Sequence, residues 1–200
     1  MSQLTFRYAR KGDGAAIVDL IERAYRGPEA AGKWTSEADL LTGPRTNHDE
    51  IVSLIDREDS RFILAEESGN LLGCCLVQGM SREPQQGSGY AESFGVPGYK
   101  GKAERGAINA AYFGMFAIDP QMHGAGLGKI VIAEAERRSA DLWGANQMVM
   151  TVINLRSELI TWYERRGYRQ TGATLPFPFT ETSGETHRNF HLVELRKDLA

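Results

Sequence analysis

The sequence predicts a mixed α/β fold (α+β in its detail), a central sheet flanked by helices on both faces. Two observations carry this. Strand-like and helix-like stretches intermix along the chain instead of segregating. Near the middle, an apolar run (Phe113 to Ile118) meets a turn at Asp119–Pro120, then a loop with Gly124, Gly126 and Gly128, then a helical pattern from Lys129. Strand, glycine loop and helix together commonly hold a phosphate, because glycines let the backbone come close and the first N–H groups of the helix point at the anion. A chain of 200 residues suits one domain with a substantial core, expected here to span 1–200.

Leu4, Phe6 and Tyr8 alternate with polar residues at strand spacing. Gly12–Asp13–Gly14 breaks the pattern, and Asp13 is placed to cap the helix carrying Ile17, Leu20, Ile21 and Ala24. Gly27–Pro28 stops that helix. A short helix is expected from Ser36, with Leu40 and Leu41, before Gly43–Pro44. Asn47 followed by Glu50 has capping-box spacing ahead of the stripe Ile51, Leu54, Ile55. Arg61–Glu66 and Leu71–Gln78 read as a hairpin around Ser68–Gly69–Asn70.

The 31 residues from Gly79 to Asn109 hold seven glycines and two prolines. This is an irregular insertion, either a surface loop or a substrate-side lid with Tyr90, Phe94 and Tyr99 as contacts. Ala111–Ile118 is the next strand. The helix after the glycine loop ends at Gly144. Gln147–Ile153 is β-rich with little polarity, hence a central strand. Asn154 is expected to cap a final helix with Leu159, Ile160, Trp162 and Tyr163, closed by Gly167. Short strands at Tyr168–Thr171 and His191–Leu195 complete the list.

Composition narrows the function. The formal net charge of −3 does not suggest bulk nucleic-acid binding. No apolar run approaches the roughly 18 residues of a membrane span. No apolar h-region marks a signal peptide near Met1. Cys74 and Cys75, adjacent in an apolar run, read as small core residues in a reducing compartment. The expected location is therefore cytoplasmic. His187 and His191 are spaced i, i+4, but no Cys or carboxylate pattern completes a metal site. There is no G-x-S-x-G nucleophile elbow. Arg137–Arg138 and Arg165–Arg166 read as solvated helix faces.

The loop His123-Gly124-Ala125-Gly126-Leu127-Gly128-Lys129 fits neither common nucleotide motif. The dinucleotide fingerprint would need a glycine where Lys129 stands. A P-loop would need a longer spacing between Gly124 and Gly128, and Ser or Thr in place of Ile130.

The stretch instead resembles the acetyl-CoA signature of the GCN5-related N-acetyltransferase (GNAT) superfamily, P-x-x-(Arg/Gln)-x-x-Gly-x-(Gly/Ala) after a strand. Pro120, His123, Gly126 and Gly128 occupy its places, with His123 where the family usually has Arg or Gln. Tyr163-Glu164-Arg165-Arg166-Gly167-Tyr168 is similar to the family's Tyr-x-x-x-Gly-(Phe/Tyr) segment. Asn154 lies ahead of it at a longer spacing than is usual. The order of elements also matches over nearly the whole chain. The segments around Trp34–Arg45 and Leu159–Pro178 resemble an uncharacterised subgroup.

The resemblance implies a mostly antiparallel sheet of about 6–7 strands and an acetyl-CoA-dependent N-acetyltransferase. It acts on a small-molecule or protein amine, without metal, nucleic acid or membrane, as a monomer or homodimer. The implied cosubstrate contacts are Phe116, Ala117 and Ile118 for the pantetheine arm and His123, Gly124, Ala125, Gly126, Leu127, Gly128 and Lys129 for the pyrophosphate, with Asn154 nearby. Tyr163 is the implied proton donor to the leaving thiolate. The general base is left open among Glu37, Glu66 and Glu92, with Glu37 favoured for its place beside the acceptor region. Trp34 and Tyr90 are the implied acceptor contacts. The alternative is a GNAT-fold module that binds acyl-CoA without transferring the group.

Overall fold

The structure, a computed structural model, describes residues 3–30, 36–80, 110–122, 124–177, 184–185 and 190–199. Strand β1 (Thr5–Tyr8) leads through a 3₁₀ turn (Lys11–Asp13) into helix α1 (Gly14–Tyr25). The two-residue strand β2 (Leu41–Thr42) precedes helix α2 (His48–Asp56). Strands β3 (Ser60–Glu67) and β4 (Asn70–Met80) form the expected hairpin. Then follow β5 (Ala110–Ile118), α3 (Leu127–Trp143), β6 (Gln147–Ile153), α4 (Ser157–Glu164), β7 (Arg169–Pro176), β8 (Gly184–Glu185) and β9 (His191–Asp198).

Seven strands form one sheet in the order β1-β3-β4-β5-β6-β9-β7, and β2 pairs with β8 apart from it. Within the seven-stranded sheet every neighbouring pair is antiparallel except β5–β6. The continuous apolar runs follow from helices on both faces. Phe62, Leu64, Cys74 and Leu76 pack under α1 and α2 with Ile17, Leu20 and Ile51. Ile63, Ala65, Cys75 and Val77 join Val131, Ile132 and Ala135 of α3 on the other face. Cys74 and Cys75 thus point to opposite faces, and both are free and buried. Burial pushes the Cys74 thiol up to about 12.

A satellite cluster holds Leu40, Leu41, Ile153, Phe190 and Leu192. It ties the chain between α1 and α2 to the ends of β6 and β9. Its burial explains one correction to the sequence reading. Residues from Ser36 form a turn, not a helix: the Glu37 carbonyl accepts both Leu40 N and Leu41 N at 2.9 Å. The chain then becomes β2, pairing with Gly184 and Glu185.

Polar side chains expected at helix starts also do other work. The Asp13 carboxylate accepts Arg10 N at 2.7 Å and both Nη atoms of Arg7 at 2.8 Å, leaving α1 without a side-chain cap. Asn47 does cap α2, accepting Glu50 N at 2.9 Å, but the Glu50 carboxylate turns to Thr46 Oγ1 rather than back to Asn47. Asn154 does not cap α4. Its Oδ1 accepts His191 N at 3.0 Å, extending the β6–β9 pairing past the last ladder residue. Strand β7 runs longer than expected because it pairs with β9 out to Pro176 and His191, and β9 runs on to Asp198 because it pairs with β6 back to Gln147.

Two helix-face arginines read as solvated are tethered. Arg138 Nη2 donates to Phe6 O at 3.0 Å, and its guanidinium lies 4.5 Å from the Tyr8 ring centre. The Arg166 guanidinium stacks 3.4 Å over Trp162. Among the described residues no helix is long and apolar enough to cross a membrane.

Strand β4 continues through Gly79 and Met80, residues expected to open the insertion. Gly79 N donates to Asp59 O at 2.8 Å, and a Cβ there would lie 2.9 Å from the Trp143 ring. Gly79→Ala should therefore cost about 1–3 kcal/mol through overpacking. That corresponds to a fall in Tm of several degrees at about 2–4 °C per kcal/mol. An unchanged melting curve would show that α3 does not press on β4 at this point.

Candidate functional site

Strands β5 and β6 begin as a parallel pair and then separate. Their ladder holds only Ala110–Gln147, Ala111–Met148 and Tyr112–Val149. Beyond it β5 follows β4 and β6 follows β9. The Tyr112 hydroxyl and Thr151 Oγ1, 3.1 Å apart, bridge the two strands just past the last pair.

The hydrogen-bond phase of β5 decides what its open edge offers. Asp119 N donates to Leu72 O at 2.9 Å, which makes that pair hydrogen-bonded. The adjacent pair, Ile118 with Gly73, is then of the outward kind, its N–H and C=O turned from β4 toward the gap. Ala117, opposite Cys74, turns back to β4. A bulge follows. The register shifts between Cys74 and Leu76, so Met115 and Phe116 oppose Cys75 alone. Met115 takes φ 44°, the left-handed region that a non-glycine residue rarely adopts. Phe116 has no ladder partner on either side. Its carbonyl accepts the Tyr25 hydroxyl at 2.7 Å.

At its C-terminal end β5 meets the glycine loop. Asp119 fixes this corner: Oδ1 accepts Gln121 N at 2.9 Å and Oδ2 accepts Arg23 Nη1 at 3.0 Å. Gly124 and Gly126 have φ 87° and 78°, which glycine adopts without steric cost. Gly126 directly precedes α3, so the first N–H groups of the helix, at Leu127 and Gly128, lack intrahelical acceptors, while Lys129 N donates to Gly126 O at 3.2 Å. At Gly128 a Cβ would lie 3.3 Å from Trp162 and 3.4 Å from Phe116, so the glycine lets α3 close on both rings. The Lys129 side chain is exposed and lies beside Gly126. The site can thus present N–H groups and one cation to an anion at one end of an open strand edge.

Aromatic side chains line the same side. Ring centres of Phe116 and Trp162 lie 6.0 Å apart, those of Trp162 and Tyr163 5.1 Å, and those of Tyr163 and Tyr168 5.7 Å. Tyr163 is 5% exposed. Burial pushes its phenol well above the usual range, and the phenols of Tyr25 and Tyr112 add to the effect. It is therefore protonated at neutral pH, as a proton donor must be.

Glu37 sits at the mouth formed by the chain after α1. Its Oε2 lies 3.0 Å from Arg26 Nη1 and 3.6 Å from Arg45 Nε, and the Arg45 guanidinium lies 5.4 Å from the Tyr25 ring centre. Glu66 is bound to Arg7 Nη2 at 2.7 Å, on β3 and away from the gap. Phe116, Ala117, Ile118, the loop from Gly124 to Lys129, and Tyr163 are thus brought together, with Asn154 engaged by β9. Trp34, Tyr90, Phe94, Tyr99, Glu92, His123 and His187 lie outside the described residues. Tyr25 and Met115 went unread in the sequence. Tyr25 did carry a signal, since it follows Ile17 and Ile21 at helical spacing on the buried face of α1.

The profile of the acetyltransferase (GNAT) family matches residues 15–168. No curated protein sequence matches the chain. Solved structures do. The ribosomal-protein-S18-alanine N-acetyltransferase of Escherichia coli superposes with a TM-score of 0.66 at 11% identity, covering 99% of this chain and 95% of that one. The spermidine N-acetyltransferase of Vibrio cholerae, solved with CoA and spermine, gives 0.62 at 16% identity over 98% and 96%. The protein yncA of Salmonella typhimurium, solved with acetyl-CoA, gives 0.63 at 17% identity over 100% and 95%. Likeness at such identities shows the fold.

The titrating groups of this site give it a pH signature. Burial raises Tyr25, Tyr112, Tyr163 and Tyr168 above 10.0, and Cys74 and Cys75 above 9.0. A group raised on folding stabilises the native state fully below its unfolded pKa, and the contribution is lost as pH climbs toward the folded one. The urea midpoint should therefore fall steadily above about pH 9–10, with tyrosinate absorbance rising mainly alongside unfolding. A midpoint flat to about pH 11, with free tyrosine titration near ~10, would contradict the burial of these phenols.

Proposed function

Since this chain belongs to the GNAT acetyltransferase family, we propose that it transfers an acetyl group from acetyl-CoA to a primary amine by direct attack within a ternary complex. The observation that carries this reading is the open edge of β5, with Ile118 turned outward and Phe116 outside both ladders, between a glycine loop and a buried tyrosine.

The pantetheine arm runs along β5 as an added strand would, through main-chain bonds at Ile118, which leaves Phe116 N–H for the acyl group. The Phe116 carbonyl is already occupied by Tyr25, and Ala117 faces β4, contributing side-chain packing instead. The pyrophosphate lies at the start of α3, on the backbone of Gly124 to Gly128, with Lys129 and His123 beside it. Asn154, bound through Oδ1 to β9, keeps its amide N–H groups for the cosubstrate.

The amine attacks as the free base, although an alkyl ammonium titrates near ~10.4. Its proton passes through water to the carboxylate of Glu37, the side chain proposed to receive it. Nitrogen bonds to the carbonyl carbon, and the oxygen becomes an oxyanion held by a backbone N–H of β5. The C–S bond then breaks, and the sulfur takes a proton from the Tyr163 hydroxyl. The phenolate recovers a proton from the nitrogen of the new amide through solvent. Trp34 and Tyr90 are the proposed acceptor contacts. Spermine bound to the Vibrio cholerae relative makes a polyamine the first acceptor to try. In this reading the enzyme is cytoplasmic, needs no metal, and works as a monomer or homodimer.

Thiol release from acetyl-CoA across a panel of amines tests the reaction. Release that depends on an amine supports the enzyme, whereas tight acetyl-CoA binding without release on any amine would favour a binding module. Tyr163→Phe should lower kcat about 10²–10⁴-fold, the range of one acid–base group, and leave acetyl-CoA affinity within about twofold. An unchanged kcat would remove Tyr163 from the acid role.

A further inference from the structure

The bulge in β5 has a holder outside the sheet. Met115 and Phe116 are 3% and 4% exposed and stand outside the regular β4 register, and Met115 carries the left-handed φ of 44°. A buried carbonyl in such a bulge needs a partner from elsewhere. Tyr25, the last residue of α1, supplies it at 2.7 Å.

Tyr25 is itself anchored from several directions. Its helix packs through Ile21 and Ala24. Its own carbonyl accepts Glu37 N at 3.0 Å. Its ring lies beside the Arg45 guanidinium, which Glu37 holds. Glu22 Oε1 in turn accepts Arg45 N and Thr46 N at 2.5 and 2.9 Å. The hydroxyl is thus presented to Phe116 by a braced segment.

On the acetyl-transfer reading, we propose that Tyr25 is a positioning residue: by holding the Phe116 carbonyl it fixes the bulge so that Phe116 N–H meets the acyl oxygen. In an extended strand the N–H and C=O of one residue leave the backbone on the same edge, so on this proposal Phe116 N–H lies on the edge where Tyr25 holds its carbonyl. When the amine attacks, charge grows on the acyl oxygen, and a donor already aimed there stabilises it without reorganising. Tyr25 exchanges no proton and forms no bond to substrate. Burial pushes its phenol above the usual range, so it is protonated at neutral pH and can donate to Phe116.

Tyr25→Phe removes only the hydroxyl. Ser60→Ala is the control, since Ser60 Oγ also donates to a backbone carbonyl, Leu54 O at 2.6 Å, and is fully buried on β3, with β4 between it and β5. The reporters are kcat, the dissociation constant of acetyl-CoA, and the isotope-edited infrared carbonyl band of bound [1-¹³C]acetyl-CoA. In the wild type the band should lie below that of free acetyl-CoA. In Tyr25→Phe it should return toward the free position, with kcat down about 10- to 100-fold, less than the ~10²–10³ lost with an oxyanion donor itself. Affinity for acetyl-CoA should stay within about twofold, and Ser60→Ala should keep the wild-type band and kcat. The infrared band reports even if one variant is too unstable for kinetics, because it is read on folded, ligand-saturated protein. A wild-type band and kcat in Tyr25→Phe would overturn the positioning role while leaving acetyl transfer intact. A wild-type band that is shifted, and that returns toward the free position in Tyr25→Phe, without turnover on any amine would remove the transfer reaction but sustain the positioning. A wild-type protein that binds no acetyl-CoA would overturn both.

Discussion

The site depends on the parting of β5 and β6 after Tyr112 and Val149. A β-strand's backbone groups alternate in direction, and each one buried without a partner costs about 1–3 kcal/mol. β4 satisfies one set on β5. The other set, at Phe116 and Ile118, faces a gap where a sheet strand would normally lie. Such an edge inside a protein has three uses: it can be covered, hydrated, or left for a ligand with amides of its own. Here Tyr25 covers a single carbonyl, and a ligand with amides can take the rest. The fold keeps the gap open from both faces. On one, α3 and α4 wedge Phe116, Trp162 and Tyr163 against the sheet. On the other, the chain after α1 crosses over to the ends of β6 and β9 through Leu40 and Leu41.

The left-handed Met115 gives the edge its second property. A strained φ in a packed strand persists only when its surroundings over-determine it. Cys74, Tyr25 and the rings of Phe113 and Phe116 surround this bulge. The bulge breaks the alternation so that Phe116 shares a face with Phe113, three residues before it, and re-aims its backbone groups. The charges at the mouth serve the same end. Glu37 joins Arg26 and Arg45, and Arg45 covers Tyr25. A carboxylate that sequence position suggested as a base therefore also braces the residue that holds the strand edge.

The sequence was legible where local rules and tertiary packing agree. The hairpin around Gly69, the strand Gln147–Ile153, the stop at Gly144 and the glycine loop each have a short-range cause, in φ, periodicity or chain reversal. The glycine loop of the motif follows β5 closely, and Tyr163 packs toward the Phe116 ring through Trp162. Where long-range partners compete for a side chain, the local reading failed. Asp13 and Asn154 have the right chemistry for caps, but Arg7 in one case and His191 in the other lie within reach and take the carbonyl or carboxylate first. Ser36 onward has helical spacing, but burial of Leu40 and Leu41 against Ile153 and Phe190 draws the chain into β2. The bulge at Met115 has no signature, because nothing in FGMFAI marks one residue as unpaired. Its holder, Tyr25, lies 91 positions away in the chain.

The central claim is that the outward edge of β5 receives the cosubstrate as an added strand. Residue-resolved amide exchange by NMR, with and without saturating acetyl-CoA, addresses this directly. New protection is expected at Phe116 and Ile118 and along Gly124 to Gly128, with Ala117 unchanged because it already bonds to β4. Protection that spared Phe116 and Ile118, or that fell equally on Ala117, would contradict the claim.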